Sequence, residues 1–332
     1  MSDWEHYQRA IDRGVAWLLE QQNPDGSMHP VEEGIGGYYK VPYAFSLTGN
    51  VAAGVRLLDW VRENNFAADG DFKGLSPRLG PHTIYYHYAN SWLVCGAERL
   101  GQFDISRPAA QFLMELQDDS GGFPTAGPEA KPGDPMDLMS TPIAGLALLW
   151  VGAVEQAQRT GDLLVRILDE QPMPDERLYF IRDANGLVVD YPPDEATRHV
   201  VDTTKEKQWY FVCGACAAFL VRLCRATSVS RYLKAAQQYI DFCTRCGPDR
   251  YNTPQSGKVG WGSGLLYGLT GDDKYERIAR AVGDYLVESQ HEDGTWRNPA
   301  VSEEAYVILD ATAEFVVELC EIIEGLAMGE RA

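Results

Sequence analysis

The side chains in this sequence best suited to proton transfer are two histidines and a scattered set of carboxylates. His87 titrates near working pH and is a candidate general acid or base. His82, five residues earlier, would not share a helical face with it. Asp134, Asp137, Asp202, Glu303 and Glu304 each precede or open a segment that reads as a helix. Capping accounts for carboxylates there, but one enclosed by aromatic rings would have a raised pKa and serve as an acid. His87, Asp137, Asp202, Tyr210 and Glu304 form the candidate catalytic set. Around them in the sequence lie Tyr39, Lys40, Tyr43, Tyr86, Asn90, Gln208, Trp209, Lys258 and Trp261, which form the candidate substrate-binding set. Tyr and Trp faces pack cores, steady a developing cation or stack on a sugar ring. Lys40 and Lys258 stand out in an acidic chain as candidates for a substrate carboxylate.

Two Cys-x-x-Cys strings, Cys213–Cys216 and Cys243–Cys246, are spaced too widely for the usual four-thiolate zinc site. They read as small buried core residues, with Cys213 a candidate reactive thiol if it faces a cavity. No metal and no cofactor is expected.

Positioning these residues falls to a repeat. Trp17-Leu-Leu-Glu-Gln-Gln22, Phe112-Leu-Met-Glu-Leu-Gln117 and Tyr285-Leu-Val-Glu-Ser-Gln290 each end a helix, and a glycine (26, 121 or 294) and a large apolar residue (Met28, Phe123 or Trp296) follow. The glycine supplies the positive φ that stops a helix, and the glutamine amide can bond freed backbone. Weaker turns at Gly70, Gly186 and Gly247 bring the spacings to 44, 51, 65, 61 and 47 residues. Six units of two helices account for the chain.

In each unit the first helix is apolar, rich in Gly and Ala, and should be buried, as in Ile143–Val154 and Phe211–Leu223. The second is amphipathic and should face water. Short joints are expected at Leu47–Asn50, Leu100–Gln102, Arg159–Asp162 and Thr270–Asp272, the last with Asp272 as N-cap. A β-hairpin is expected around Asn185-Gly186. The fold class is therefore all-α: an (α/α)6 toroid of six hairpins, residues 1–332 forming a single domain. The opening helix, Glu5–Gln22, is expected to be the last outer helix, paired with Glu303–Glu324. Long loops gather at one end, over residues 23–41, 65–81, 118–137, 172–202, 247–257 and 291–302, where ligands usually bind.

The string Gln290-His-Glu-Asp-Gly294-Thr-Trp296 resembles the QW repeat of squalene-type cyclases and the wider terpenoid cyclase and protein prenyltransferase toroids. Gly260–Trp296 is equally similar to six-hairpin sugar-active enzymes such as acylglucosamine epimerases and unsaturated glucuronyl hydrolases. The sequence lacks the Asp-x-Asp-Asp acid of squalene-type cyclases, since Asp69-Gly-Asp71 is followed by Phe72. The prenyltransferase Asp-x-Cys occurs only as Asp241-Phe-Cys243, on an outer helix. Asp272-Asp-Lys-Tyr-Glu276 fits the letters of an ionising terpene synthase motif but sits at a short joint.

With 29 basic against 48 acidic residues the net charge is −19, which argues against nucleic acid, whose binding needs a basic face, and against an anionic membrane surface. No apolar run is long enough to span a bilayer. The seven cysteines and the charged opening segment, which lacks a signal-peptide core, suggest a cytoplasmic protein with reduced thiols. The expected partner is a small-molecule substrate. The leading expectation is a cyclase, isomerase or lyase that protonates and deprotonates a largely apolar, terpenoid-like molecule. The alternatives are a carbohydrate-active epimerase, hydrolase or lyase, and a non-catalytic binding toroid.

Overall fold

The computed structural model describes residues 4–74, 77–125, 127, 129–297 and 304–330. Glu303 lies outside them. Twelve α-helices among the described residues form two concentric rings. The inner ring is α2 (Val41–Leu47), α4 (Tyr86–Arg99), α6 (Thr141–Trp150), α8 (Phe211–Thr227), α10 (Gly257–Thr270) and α12 (Ala305–Gly329). Each inner helix packs against the next, and α12 against α2, so the ring closes. The outer ring is α3 (Val51–Asn64), α5 (Phe103–Leu116), α7 (Val154–Asp169), α9 (Ser230–Thr244), α11 (Asp273–Glu288) and α1 (Glu5–Glu20). The first helix thus serves as the last outer helix, packed on α12. The inner helices carry buried residues on every side, whereas α7 and α11 bury one stripe only.

The glutamine turns act as clasps between successive outer helices. Gln22 Nε2 donates to the carbonyls of Gly26 and Ala53, Gln117 Nε2 to those of Gly121 and Gln156, and Gln290 Nε2 to those of Gly294 and Ala10. Each amide therefore closes its own turn and grips the next outer helix. Gly121 shows why no other residue fits: its φ is +97°, and a Cβ there would lie 2.2 Å from the Arg159 carbonyl oxygen. Trp296, Phe123 and Met28 then fold back into the core. Gly247 departs from the pattern and has no positive φ.

One joint differs from the sequence expectation. Thr160-Gly161-Asp162 lies inside α7, and the turn comes earlier, at Val151-Gly152-Ala153 with Gly152 at φ +83°. These three residues form an interhelical contact. Thr160 Oγ1 donates to the Gly121 carbonyl at 2.9 Å, Gly161 admits Leu223 and Tyr232, and Asp162 accepts from Tyr232 at 2.8 Å. The Asp272 cap is as expected, accepting from the Lys274 amide at 2.9 Å.

The long loop between α7 and α8 carries β2 (Arg177–Tyr179), β3 (Ile181–Asp183), β4 (Gly186–Leu187) and β5 (Val200–Asp202). β3 and β4 form the expected hairpin around Asn185-Gly186. β3 also pairs with β1 (Met136–Asp137), and β2 pairs with β5. This small sheet layer holds the segment 193–211 over the barrel mouth.

Candidate active site

A cavity of about 490 Å³ opens among the long loops and takes residues from the start of every inner helix. Tyr39 and Lys40 come from the entry to α2, and His82, Tyr85 and Tyr88 from the entry to α4. Met139 precedes α6, Trp209 and Phe211 open α8, and Gln255 and Lys258 open α10. Helix α12 contributes Asp310, Glu314 and Glu318, spaced one turn apart on a single face.

Lys40 and Lys258 are only 2% and 4% exposed, and they alternate with these carboxyls. Lys40 Nζ lies 2.9 Å from Asp310 Oδ1 and 2.6 Å from Glu314 Oε2. Lys258 Nζ contacts Glu314 Oε1 and lies 3.4 Å from Glu318 Oε1. The order Asp310–Lys40–Glu314–Lys258–Glu318 is a continuous row of five ionisable groups. Pairing of this kind is what allows lysines to be buried at all.

The two ends of the row differ in proton affinity. Burial tends to discharge Lys40, but Asp310, with Tyr39 and Tyr88, holds its ammonium well above the usual lysine range. Burial brings Lys258 down to about 8, with Glu318 opposing the shift. Burial also raises Glu318, against the pull of Lys258. Its Oε2 has no hydrogen-bond partner among the described residues. That carboxyl is cradled by Gly257, where a Cβ would come within 1.6 Å of Oε2. Burial thus moves the proton affinities of Lys258 and Glu318 toward each other, the direction that general acid–base chemistry requires. Burial lowers His82 to about 4, so a neutral imidazole stands beside Tyr39.

The walls are aromatic. Lys40 Nζ sits 4.9 Å from the Tyr39 ring centre and 5.6 Å from that of Tyr88, and Lys258 Nζ sits 5.7 Å from that of Phe211. Trp209 is stacked on Phe180 of the sheet layer. Below, Trp92 and Trp261 meet at 6.1 Å and belong to the core.

Of the residues singled out in the sequence, Tyr39, Lys40, His82, Trp209 and Lys258 line this cavity together. The structure places the others elsewhere. His87 lies between Tyr86 and Phe112 of the outer helix α5, with both ring nitrogens unpartnered among the described residues, and burial lowers it to about 4. Asp137 is fully buried and accepts from Thr125 Oγ1 and the Met139 and Ser140 amides, each at 2.6 Å, ahead of α6. Burial nonetheless raises its pKa. Asp202 organises the end of β5 through Thr204 and Arg177. Gln208 bonds the Asp202 amide. Tyr210 donates to Asp249 at 2.7 Å. Glu304 is the exposed N-cap residue of α12. Tyr86 and Asn90 both donate to the buried Asp71, under Arg78. Tyr43 donates to Glu321 deep in the barrel, and Trp261 lies beneath the row.

Cys213 is buried against Cys243. That contact favours its thiolate, but burial keeps its thiol above the usual range, and it does not line the cavity. Among the described residues no group of three His, Cys, Asp or Glu side chains is arranged to hold a metal ion. Glu314 and Glu318 are absent from the sequence-derived set because they lie in the third and fourth turns of α12. The signal that finds them is the i, i+4, i+8 spacing Asp310–Glu314–Glu318 inside an otherwise apolar helix.

No protein-family model matches the chain, and no curated protein matches it. Solved structures do. A D-mannose isomerase aligns with a TM-score of 0.71 at 10% identity, covering 96% of this chain and 97% of that one. A family 76 α-mannanase from Bacteroides thetaiotaomicron aligns at 0.69 and 11% identity, covering 96% of each chain. The type II terpene cyclase MstE from Scytonema, in complex with merosterolic acid A, aligns at 0.61 and 14% identity, covering 96% of this chain and 98% of that one. The chain therefore has the helical toroid fold shared by terpene cyclases and six-hairpin carbohydrate-active enzymes.

Proposed function

We propose that this chain is an enzyme that moves a proton on a polar, carbohydrate-like carbonyl compound, an isomerase, epimerase or lyase in reaction type. The row Asp310–Lys40–Glu314–Lys258–Glu318 at the cavity wall carries this reading. An apolar substrate laid on it would remove water from five ionisable groups and return no hydrogen bonds. A polyhydroxylated substrate would replace that water group for group. Trp209, half-buried at the cavity, offers a face on which a sugar ring stacks.

The chemistry follows from the last two groups of the row. Lys258, with its pKa brought to about 8, takes the proton from the carbon beside a carbonyl as a neutral amine. Glu318, which burial keeps protonated to higher pH than an ordinary carboxyl, gives its proton to the carbonyl oxygen. The product is an enediol. Return of the proton to the neighbouring carbon or to the opposite face completes isomerisation or epimerisation, and loss of a β-substituent gives elimination. Glycoside hydrolysis is less well supported. Its two carboxyls flank the scissile bond, whereas Asp310, Glu314 and Glu318 project from one helix.

The aromatic walls favour a second reading, a prenyl-like substrate whose developing cation rests on ring faces. The Tyr39, Tyr88 and Phe211 rings, however, already have the ammonium groups of Lys40 and Lys258 over them. The likeness in fold to both enzyme classes is compatible with either reading.

The test is solvent exchange. Aldoses, ketoses and their acids incubated with the protein in D2O should gain deuterium at the carbon beside the carbonyl, followed by NMR. Glu318→Gln and Lys258→Met should abolish the exchange. Turnover of a prenyl substrate with no exchange into any sugar would replace this reading with the second.

A further inference from the structure

Each ionisable side chain of the row is paired with a neighbour, whereas one at the rim of the cavity is not. Lys40 and Lys258 are each committed to carboxylates of α12, so neither is free for an acidic substrate. Arg198 is different. It ends the 3-10 turn Pro193–Arg198, lines the same cavity, and forms no ion pair or hydrogen bond among the described residues. Asp194 and Glu195 share its turn, and neither pairs with it. The turn is fixed from behind, since His199 bonds the Glu195 carbonyl at 3.0 Å and stacks on Tyr191.

Tyr85 supplies a second, independent observation. It is 5% exposed, lines the cavity, and its hydroxyl has no hydrogen-bond partner among the described residues. Its ring packs edge-on against Trp209 at 6.3 Å. Burial raises its pKa, with Asp137 adding to the shift and Arg198 opposing it, so the hydroxyl stays a donor and lies within the field of the guanidinium. Asp137 is engaged by three donors of its own. A hydroxyl that reaches the cavity without an acceptor and a guanidinium without a counter-ion, lining the same cavity, call for one ligand group with both negative charge and acceptor oxygens.

We infer that Arg198 and Tyr85 form an anion-recognition site at the rim of the cavity, which holds the carboxylate or phosphate of an acidic substrate whose reacting carbon lies at the Lys258–Glu318 pair. The placing of the reacting carbon rests on the proposed carbohydrate reading, and the anion site does not. A cavity of about 490 Å³ is large enough for a sugar acid or sugar phosphate spanning the two positions. The guanidinium fork suits either group, so the two sources share one chemistry.

The test is calorimetric titration of the full chain with D-mannose, D-glucuronate, mannose 6-phosphate and geranylgeranyl diphosphate, repeated on Arg198→Gln and Tyr85→Phe. Arg198 is exposed, so its replacement leaves the fold intact, and circular dichroism checks this. An anionic sugar should bind at least tenfold more tightly than mannose. Arg198→Gln should erase that preference, and Tyr85→Phe should reduce it about threefold. Preference for glucuronate identifies a carboxylate, and preference for mannose 6-phosphate identifies a phosphate. Equal binding of neutral and acidic sugars, or a preference that survives Arg198→Gln, overturns the anion site and leaves the carbohydrate reading standing. Arg198-dependent binding of the prenyl diphosphate alone keeps the anion site and overturns the carbohydrate reading. Absence of Arg198-dependent binding by any of the four overturns the site.

Discussion

The two ends of the barrel hold similar chemistry under opposite conditions. At the mouth, Lys40 and Lys258 pair with carboxyls of α12 beside an open cavity. At the short-joint end, α12 presents Glu321 and Glu324 to Arg222, which contacts the first and lies 3.1 Å from the second. Tyr43 completes Glu321 at 2.8 Å, and Arg99 and Arg222 lie over Trp150. That cluster lines no part of the mouth cavity, and Tyr43 and Arg222 occupy both oxygens of Glu321. At the mouth, Glu318 keeps one oxygen unpartnered among the described residues, and Asp310 and Glu314 are about a fifth exposed, at 24% and 19%. The lesson is that buried charge alone does not mark a site. A site needs an ionisable group left partly unsatisfied and space in front of it.

This contrast can be broken from either side. The largest expected effect is on turnover. Lys258→Met should lower kcat by about 10²–10⁴-fold, the range for removing a general acid–base group, in the exchange assay. Arg222→Met should instead act on stability, by about 3–5 kcal/mol in chemical denaturation, because it leaves Glu321 buried without its partner. Residual turnover by the folded fraction should be unchanged. If Arg222→Met also removed turnover from folded protein, the division between the two ends would fail.

Two smaller effects sharpen the comparison. Gly121→Ala should cost about 1–3 kcal/mol, measured by thermal unfolding, through a positive φ held against the Arg159 carbonyl. His87→Phe should flatten the acid limb of the stability curve. Burial sets the folded pKa of His87 at about 4, below its ordinary 6.5, so the unfolded chain binds the extra proton first. Its contribution is complete above 6.5 and is lost as pH falls toward 4. The catalytic limb lies elsewhere: kcat should rise through about pH 8 as Lys258 loses its proton, and this limb should vanish in Lys258→Gln.

The fold was legible because a helical toroid is a repeat. Gln22, Gln117 and Gln290, with the glycines and large apolar residues after them, mark the same clasp three times. The misplaced joint at Arg159–Asp162 has a physical cause. Thr-Gly-Asp reads as a helix stop in isolation, but Gly161 is needed inside α7 to admit Leu223 and Tyr232. In the site, Lys40 and Lys258 were legible because two lysines that open inner helices stand out in an acidic chain. His87 attracted attention for its titration range, yet a sequence alone does not give helical phase at the start of α4. The 3-10 turn Gly80–Thr83 sets that phase, bringing His82 and Tyr88 to the cavity and turning His87 to α5. Glu314 and Glu318 were hidden because a mouth site is expected at the first turns of inner helices, whereas the cavity reaches four turns down α12.

The clasp of Gln290 on Ala10 has a consequence for connectivity. It joins the last repeat to the first with the same bond that joins neighbours elsewhere. α1 begins and α12 ends on the side of the barrel where the five short joints lie, so the chain is a closed circle of hairpins opened at a sixth such joint. The position of that opening is then a matter of convenience. A circular permutant with its ends linked and a new break at Gly152, where even an added Cβ would meet nothing within 4 Å, should build the same barrel and the same mouth.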